Sequence, residues 1–283
     1  MFKRFFRWII RSVIIAAVLF AIVAISDYIS HRVQPNSVLQ VKLDGPVVER
    51  SSPGVFGLLS KTETPLDVLR NAIDLAAKDP KIVGLEIRVI DPEMELAQAQ
   101  EIAALIKSFK SHGKWTAAYL ETAGESGLGN TPYIVAAAAD DVSLMPQGDL
   151  NLMGVQLREL FMRGTLDWLG ITPNFASAGQ YKSAANMFTN KDFTAPQKEE
   201  DEALAGSLFD QIVAAIAAER KLTPDAIKGL IDQAPLHADA SLKAHLVDRL
   251  EYEDEFSQRI KTHGGSEHRI VDYANYARAS VFS

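Results

Sequence analysis

The chain has 283 residues, of which 47% are hydrophobic and 23% charged, which excludes a disordered or low-complexity protein. It has no cysteine, so disulfide scaffolds, thiolate metal sites and cysteine nucleophiles are excluded as well. Residues 1–26 hold four basic side chains and no acidic one, leaving 25 basic and 36 acidic residues in 27–283; a body that acidic repels phosphate backbones and argues against nucleic acid as a ligand.

The first thirty residues read as a basic head (Lys3, Arg4, Arg7, Arg11) followed by an uncharged apolar run from Ser12 to Ser26. Fifteen helical residues rise about 22 Å, short of a hydrocarbon core of roughly 30 Å. Adding Trp8–Ile10, with Arg11 snorkelling to the headgroups, brings the segment close to spanning length. An uncleaved single-pass anchor is expected over 1–30, in preference to a signal peptide cut near Ala24–Ser26, because no clear Ala-x-Ala end precedes a polar stretch. The basic head then stays cytoplasmic and the bulk of the chain lies on the extracytoplasmic side.

Residues 31–36 read as a linker. Beyond them, strand-like and helix-like stretches alternate. Val38–Leu43 alternates apolar and polar, Gly45-Pro46 turns it, and Val47–Val48 continues; Ile82–Ile90 is dense in β-branched residues and reads as a buried strand. Trp115–Leu120, Val142–Met145 and Asn174–Ala178 are shorter strand candidates. Helical patterns cover Pro65–Ala77, Leu96–His112, Val155–Leu169 and Pro196–Arg220, the last with an acidic start suited to the helix dipole. Thr223-Pro224 opens a further helix, and Asp239 caps a short one through His245. Strands alternating with helices predict an α/β fold with a mainly parallel sheet, one domain over 37–258 and a polar tail, 259–283, with no clear place in a core.

None of the six histidines forms an HExxH pair or joins carboxylates at ligand spacing, so no metal is called for. The turn Gly124–Asn130 (GESGLGN) lacks both the P-loop and the GxGxxG pattern, and Glu125 would repel phosphate, so no nucleotide cofactor is called for either. A glycine-rich turn between strand and helix is either a flexible connection or a place where backbone N–H groups gather around an oxyanion. Lys182, set among small and aromatic residues in Gly179–Ala185 (GQYKSAA), is either an ordinary surface lysine or a candidate for burial. Desolvation can lower a lysine pKa by up to about 3–5 units from its reference of about 10.4, letting the amine activate a serine without histidine.

These residues, with the blocks LQVKLDGPVVE, PLDVLRNAIDLAAKDPKIVGLEIRV, PYIVAAAADDVSLMPQGDLNLMGV, LDWLGITPNFASAGQYKSAANMFT and LKAHLVDRL, give the chain its likeness. From Ser37 to Phe256 it resembles the signal peptide peptidase A, or protease IV, family of membrane-anchored bacterial serine peptidases. The resemblance implies a crotonase- and Clp-protease-like spiral of strand–strand–helix units, a Ser–Lys dyad with Lys182 as general base, a ring-like homo-oligomer, and cleavage of signal peptides and other unfolded segments beside the inner membrane. Tyr181, Ser183 or Gln180 would orient the amine.

The family's serine turn, Ser-Gly-Gly, is absent. Counted back from Tyr133-Ile134 its serine falls on Asn130; counted forward from Lys114 it falls on Ser126, which one glycine follows. The oxyanion segment Asn-Ser-Pro-Gly-Gly is replaced by Ile90-Asp91-Pro92-Glu93-Met94. Long members of the family have two related domains, the first supplying the lysine and the second the serine, and this chain resembles the first. The expectation is a half-site peptidase completed by a second protease-like domain. A complete short peptidase using Ser126 and a non-catalytic membrane scaffold are the alternatives.

Overall fold

The computed structural model describes residues 33–50, 63–125, 127–176 and 178–280. The expected anchor, 1–30, and the alternative nucleophile Ser126 lie outside the described residues. No helix among the described residues is long and apolar enough to cross a membrane.

Seven strands form one sheet, and every pairing in it is parallel. β1 (Ser37–Val48) and β3 (Ile82–Glu93) are the long central pair, followed by β4 (Trp115–Leu120), β5 (Asp141–Leu144) and β8 (Arg249–Leu250). The other edge of β1 is shared end to end: β9 (Arg269–Asp272) pairs with Ser37–Gln40, and β2 (Thr64–Pro65) with Val47 and Val48. The mainly parallel α/β sheet expected from the alternation of elements is present.

Side chains alternate between the two faces with the period of two that a strand imposes. Leu39, Val41 and Leu43 of β1 join Leu85, Ile87 and Val89 of β3 and Ala118 and Leu120 of β4 in the main core. That core is covered by α1 (Leu66–Lys78), α2 (Leu96–Lys110), α3 (Asn130–Ala137), α5 (Ala195–Arg220) and α9 (Tyr273–Ser280). On the opposite face Val38, Ala117 and Tyr119 pack against Phe256 and Ile260 of α8 (Glu253–Lys261). That face also carries polar groups: buried Glu86 accepts hydrogen bonds from Arg88 Nε at 2.5 Å and Gln40 Nε2 at 3.2 Å.

Three expectations are corrected. Residues 259–280, the described part of the expected tail 259–283, are not outside the core. β9 is a sheet strand, Tyr273, Tyr276 and Ala277 are buried in the main core, and His263 stacks on Trp115 with ring centroids 4.2 Å apart. Asn174–Ala178 forms no strand: its described residues carry no regular structure, because no neighbouring strand runs beside them. The helix expected over Val155–Leu169 is reduced to α4 (Arg163–Trp168), whose residues are all outside the core. An apolar stripe makes a helix in water only when enough of it is packed away, and none of residues 155–162 is buried.

A candidate active site on an exposed arm

The candidate residues lie in two places, a packed turn after β4 and an arm that carries Lys182. The turn begins where β4 ends. Ala123 N–H donates to Asp149 O at 2.8 Å and Asn151 N–H to Ala123 O at 2.9 Å, so β6 (Asp149–Leu150) runs beside it. β6 also pairs with β7 (Leu236–His237) in antiparallel fashion. Gly129 N–H donates to Asn151 O at 3.0 Å. A Cβ on Gly129 would stand 2.5 Å from Ala123 O, and one on Gly124, whose φ is +91°, would stand 2.5 Å from Gly129 N. Gly124 and Gly129 are therefore needed for close backbone packing rather than for a flexible connection.

Asn130 opens α3 just after this turn and is 2% exposed. Its Nδ2 donates to Met153 O at 2.8 Å and its Oδ1 accepts from Met153 N–H at 3.0 Å. Both amide atoms are thus spent on one residue's main chain, extending the ladder of the turn by one rung. At one of the two positions where the sequence comparison puts the family's serine, the side chain is a structural clamp. This role was invisible in the sequence, since the partner lies 23 positions away.

The arm runs from Met153 to Pro196, and not one of its described residues is buried. It holds itself together. Met162 N–H donates to Met187 O at 2.7 Å, Phe161 meets Phe193 edge-on, and Phe175 stacks on Phe188 at 5.5 Å. Asp167 binds Lys191 at 2.9 Å and also Arg163, and hydrogen bonds from these two cations hold its carboxyl below the usual carboxylate range. The end of the arm is tied to α5. Thr194 caps that helix through Gln197 N–H, and Asn186 Nδ2 donates to Gln197 Oε1 at 2.9 Å.

Lys182 sits in this arm between a left-handed Gly179 (φ +98°) and a 3-10 turn over Ser183–Ala185. It lines an open hollow with Phe175, Ala176, Ala178, Tyr181 and Ser183. The expected burial is not met within this chain: Lys182 is exposed. The Tyr181 hydroxyl donates to Glu199 Oε2 at 3.2 Å. The arm also exposes large apolar side chains, with Trp168 84%, Leu160 65%, Leu169 55% and Phe175 50% exposed. No group of three or more histidine, aspartate and glutamate side chains that could hold a metal occurs among the described residues.

Residues 108–266 match the description Peptidase family S49. The chain is similar to Protease 4 of Haemophilus influenzae, with 29% identity over 157 residues, 55% of this chain and 25% of that protein. Protease 4 of Salmonella typhi is 24% identical over 264 residues, 84% of this chain and 42% of that protein. The chloroplastic serine protease SPPA of Arabidopsis thaliana is 22% identical over 250 residues, 87% and 36% of the two chains. The chain spans between a quarter and a little over half of the length of the curated relatives it matches. Among solved structures, an enoyl-CoA hydratase/isomerase family protein from Silicibacter pomeroyi aligns at TM-score 0.43 and 16% identity, covering 82% of this chain and 80% of that one. A likeness at that level has no bearing on function.

Proposed function

The chain belongs to peptidase family S49, and on that premise we propose that it supplies the general-base lysine, Lys182, of a serine-type peptidase whose site a second family domain completes. The observation that carries this is the arm. A lysine proposed as a base stands on a segment that exposes Trp168, Leu160, Leu169 and Phe175 and of which no described residue is buried. Exposed apolar surface of that extent marks a protein contact. In the proposal, another copy of the chain and a serine-bearing domain cover the arm and desolvate the amine.

A lysine covered by protein is desolvated, and desolvation favours the neutral amine that can accept a proton. The neutral Nζ takes the proton of the attacking serine Oγ as that oxygen bonds to the scissile carbonyl carbon. The resulting ammonium returns the proton to the departing amine, leaving an acyl-serine ester that water hydrolyses with the same lysine as base. The substrates in this reading are signal peptides and other unfolded apolar segments. The chain would be held to the inner membrane by residues 1–30, with its body on the periplasmic side. A second reading, a non-catalytic membrane scaffold, is favoured by one observation: the clamp made by Asn130 where the serine would stand.

The test uses the full chain in detergent, assayed with a fluorogenic apolar peptide and a serine-reactive fluorophosphonate. Alone, it is expected to take no label and hydrolyse no peptide. Co-expressed with a family domain that carries the Ser-Gly-Gly turn, it is expected to cleave, and Lys182→Ala in this chain is expected to abolish that cleavage. Cleavage that survives Lys182→Ala overturns the proposal. Labelling of Ser126 in the chain alone replaces it with the short-peptidase reading.

A further inference from the structure

The first half of α5 buries one side chain, and it is polar. From Ala195 to Gln211 every residue is exposed or half-buried except Gln197, which is 4% exposed. Buried amides need hydrogen-bond partners. Here the partner comes from the arm, where Asn186 Nδ2 donates to Gln197 Oε1 at 2.9 Å.

Asn186 belongs to the short helical stretch that carries Lys182. Lys182 N–H donates to Gly179 O at 3.2 Å, and Lys182 then opens the 3-10 turn Ser183–Ala185. Asn186–Thr189 continues it as one α-helical turn, closed by Asn190 N–H on Asn186 O at 2.9 Å. No loop separates the lysine from Asn186. On its other side an exposed tie joins the same two elements, Tyr181 to Glu199.

α5 carries the buried tie into the scaffold. It is one helix of 26 residues. From Gln197 it rises about 22 Å to Ile212, where Ile212, Val213 and Ile216 enter the main core. Its far end is pinned by Arg220, which donates to both carboxylate oxygens of Asp248 at 2.8 and 3.0 Å and to His245 O at 2.8 Å.

We propose that Gln197 is a positioning residue for Lys182. α5 is a strut that holds the arm at a set distance from the sheet, and the Gln197–Asn186 bond is the joint that fixes where the amine stands. The inference rests on the peptidase reading above. Gln197 touches neither substrate nor reacting atoms and acts only through Asn186. A displacement of 1 Å at a reacting group can cost about 10²-fold in rate. The covering partner desolvates the amine while the joint locates it, so the two contributions separate in a pH profile.

The test uses the full chain in detergent, co-expressed with a family domain that carries the Ser-Gly-Gly turn. Cleavage of the fluorogenic apolar peptide is followed across pH, and circular dichroism checks the fold. Gln197→Leu keeps the bulk and removes the acceptor. It is expected to lower kcat about 10–100-fold at every pH, with KM and the pH of half-maximal rate unchanged. Asn186→Ala is expected to do the same, and the double variant to be no worse than either alone. Gln197→Glu keeps an acceptor for Asn186 and is expected to recover most of the lost kcat. Unchanged kcat in Gln197→Leu, or no recovery in Gln197→Glu, overturns the inference. So does a loss in which KM rises and the pH of half-maximal rate moves, the mark of an arm that has lost its covering partner. Cleavage that survives Lys182→Ala, or none by the unsubstituted pair, overturns the peptidase reading and this inference with it. Cleavage abolished by Lys182→Ala but undiminished in Gln197→Leu overturns this inference alone.

Discussion

Replacing Asn130 with serine restores the residue type that the family's short members carry at that count, yet it is expected to damage the fold without creating a peptidase. The amide spans two main-chain atoms of Met153, at 2.8 and 3.0 Å. A serine hydroxyl sits on a shorter side chain and can serve at most one of them. Each lost hydrogen bond costs about 1 kcal/mol net, and more where the abandoned group stays dry. Met153 is 42% exposed, so water reaches part of what is abandoned and keeps the cost near the lower bound. The expected loss is about 2 kcal/mol, which for a chain of this size lowers Tm by about 4–8 °C. Thermal and urea unfolding followed by circular dichroism measure it. Asn130→Asp sharpens the test: its carboxylate faces the carbonyl of Met153 with no proton to donate, so at neutral pH it should be worse than serine and should recover as pH falls and the acid protonates. An Asn130→Ser protein as stable as the unsubstituted one refutes the clamp. Hydrolysis that appears in it and disappears on adding Lys182→Ala refutes the structural reading of this turn altogether.

Three further perturbations bear on the scaffold. Tyr133 is fully buried, and its hydroxyl donates to Leu246 O at 2.5 Å; Tyr133→Phe leaves that carbonyl unpaired and should cost about 1–3 kcal/mol in urea titrations, an unchanged midpoint counting against the bond. Gly129→Ala drives a methyl to 2.5 Å from Ala123 O and 2.7 Å from Asn151 O, with an expected cost of about 1–3 kcal/mol and a looser turn by hydrogen exchange; wild-type protection would show that the backbone can give way. Burial alone would raise the carboxyl pKa of Asp248 and Glu251, but hydrogen bonds from Arg220 and Val142 N–H to the first, and from Arg259 and Ser143 to the second, leave both below the ordinary range. The unfolded chain therefore binds these protons first: the stabilisation is present above about pH 4 and is lost as pH falls through the lower folded values. Urea midpoints measured down to about pH 3 should fall less steeply in Asp248→Asn, and an identical slope would exclude Asp248 as a source of acid sensitivity.

Much of the scaffold was legible because it is governed by local pattern. The alternation in Val38–Leu43 and the β-branched run Ile82–Ile90 marked β1 and β3, and Thr223-Pro224 marked the start of α6 (Pro224–Ile231), where the Thr223 hydroxyl accepts from Ala226 N–H. The failures share one cause, which is dependence on a distant or absent partner. Arg269–Asp272 is four residues long and becomes a strand only because the start of β1 accepts it. Asn174–Ala178 has strand-like alternation and no described strand beside it, and Val155–Leu169 has an apolar stripe of which no residue is buried. The candidate site was half legible. The sequence pointed to Lys182, but residue type alone says nothing of what covers a lysine. It could not reveal that Asn130 is held by Met153.

The pairing of β9 with β1 also sets a timetable for synthesis. His268 and Asn36 touch at the head of this pairing, 232 positions apart. At a ribosomal rate of about 5–20 residues per second, the first third of β1's outer edge waits on the order of 10–50 s for its partner. During that interval the chain presents a hydrophobic parallel strand with an unpaired side, the kind of surface that chaperones protect and neighbouring nascent chains can capture. The last strand to be made is thus the one that closes the first, and slowing translation just upstream of residue 269 should raise aggregation more than an equal pause after residue 280.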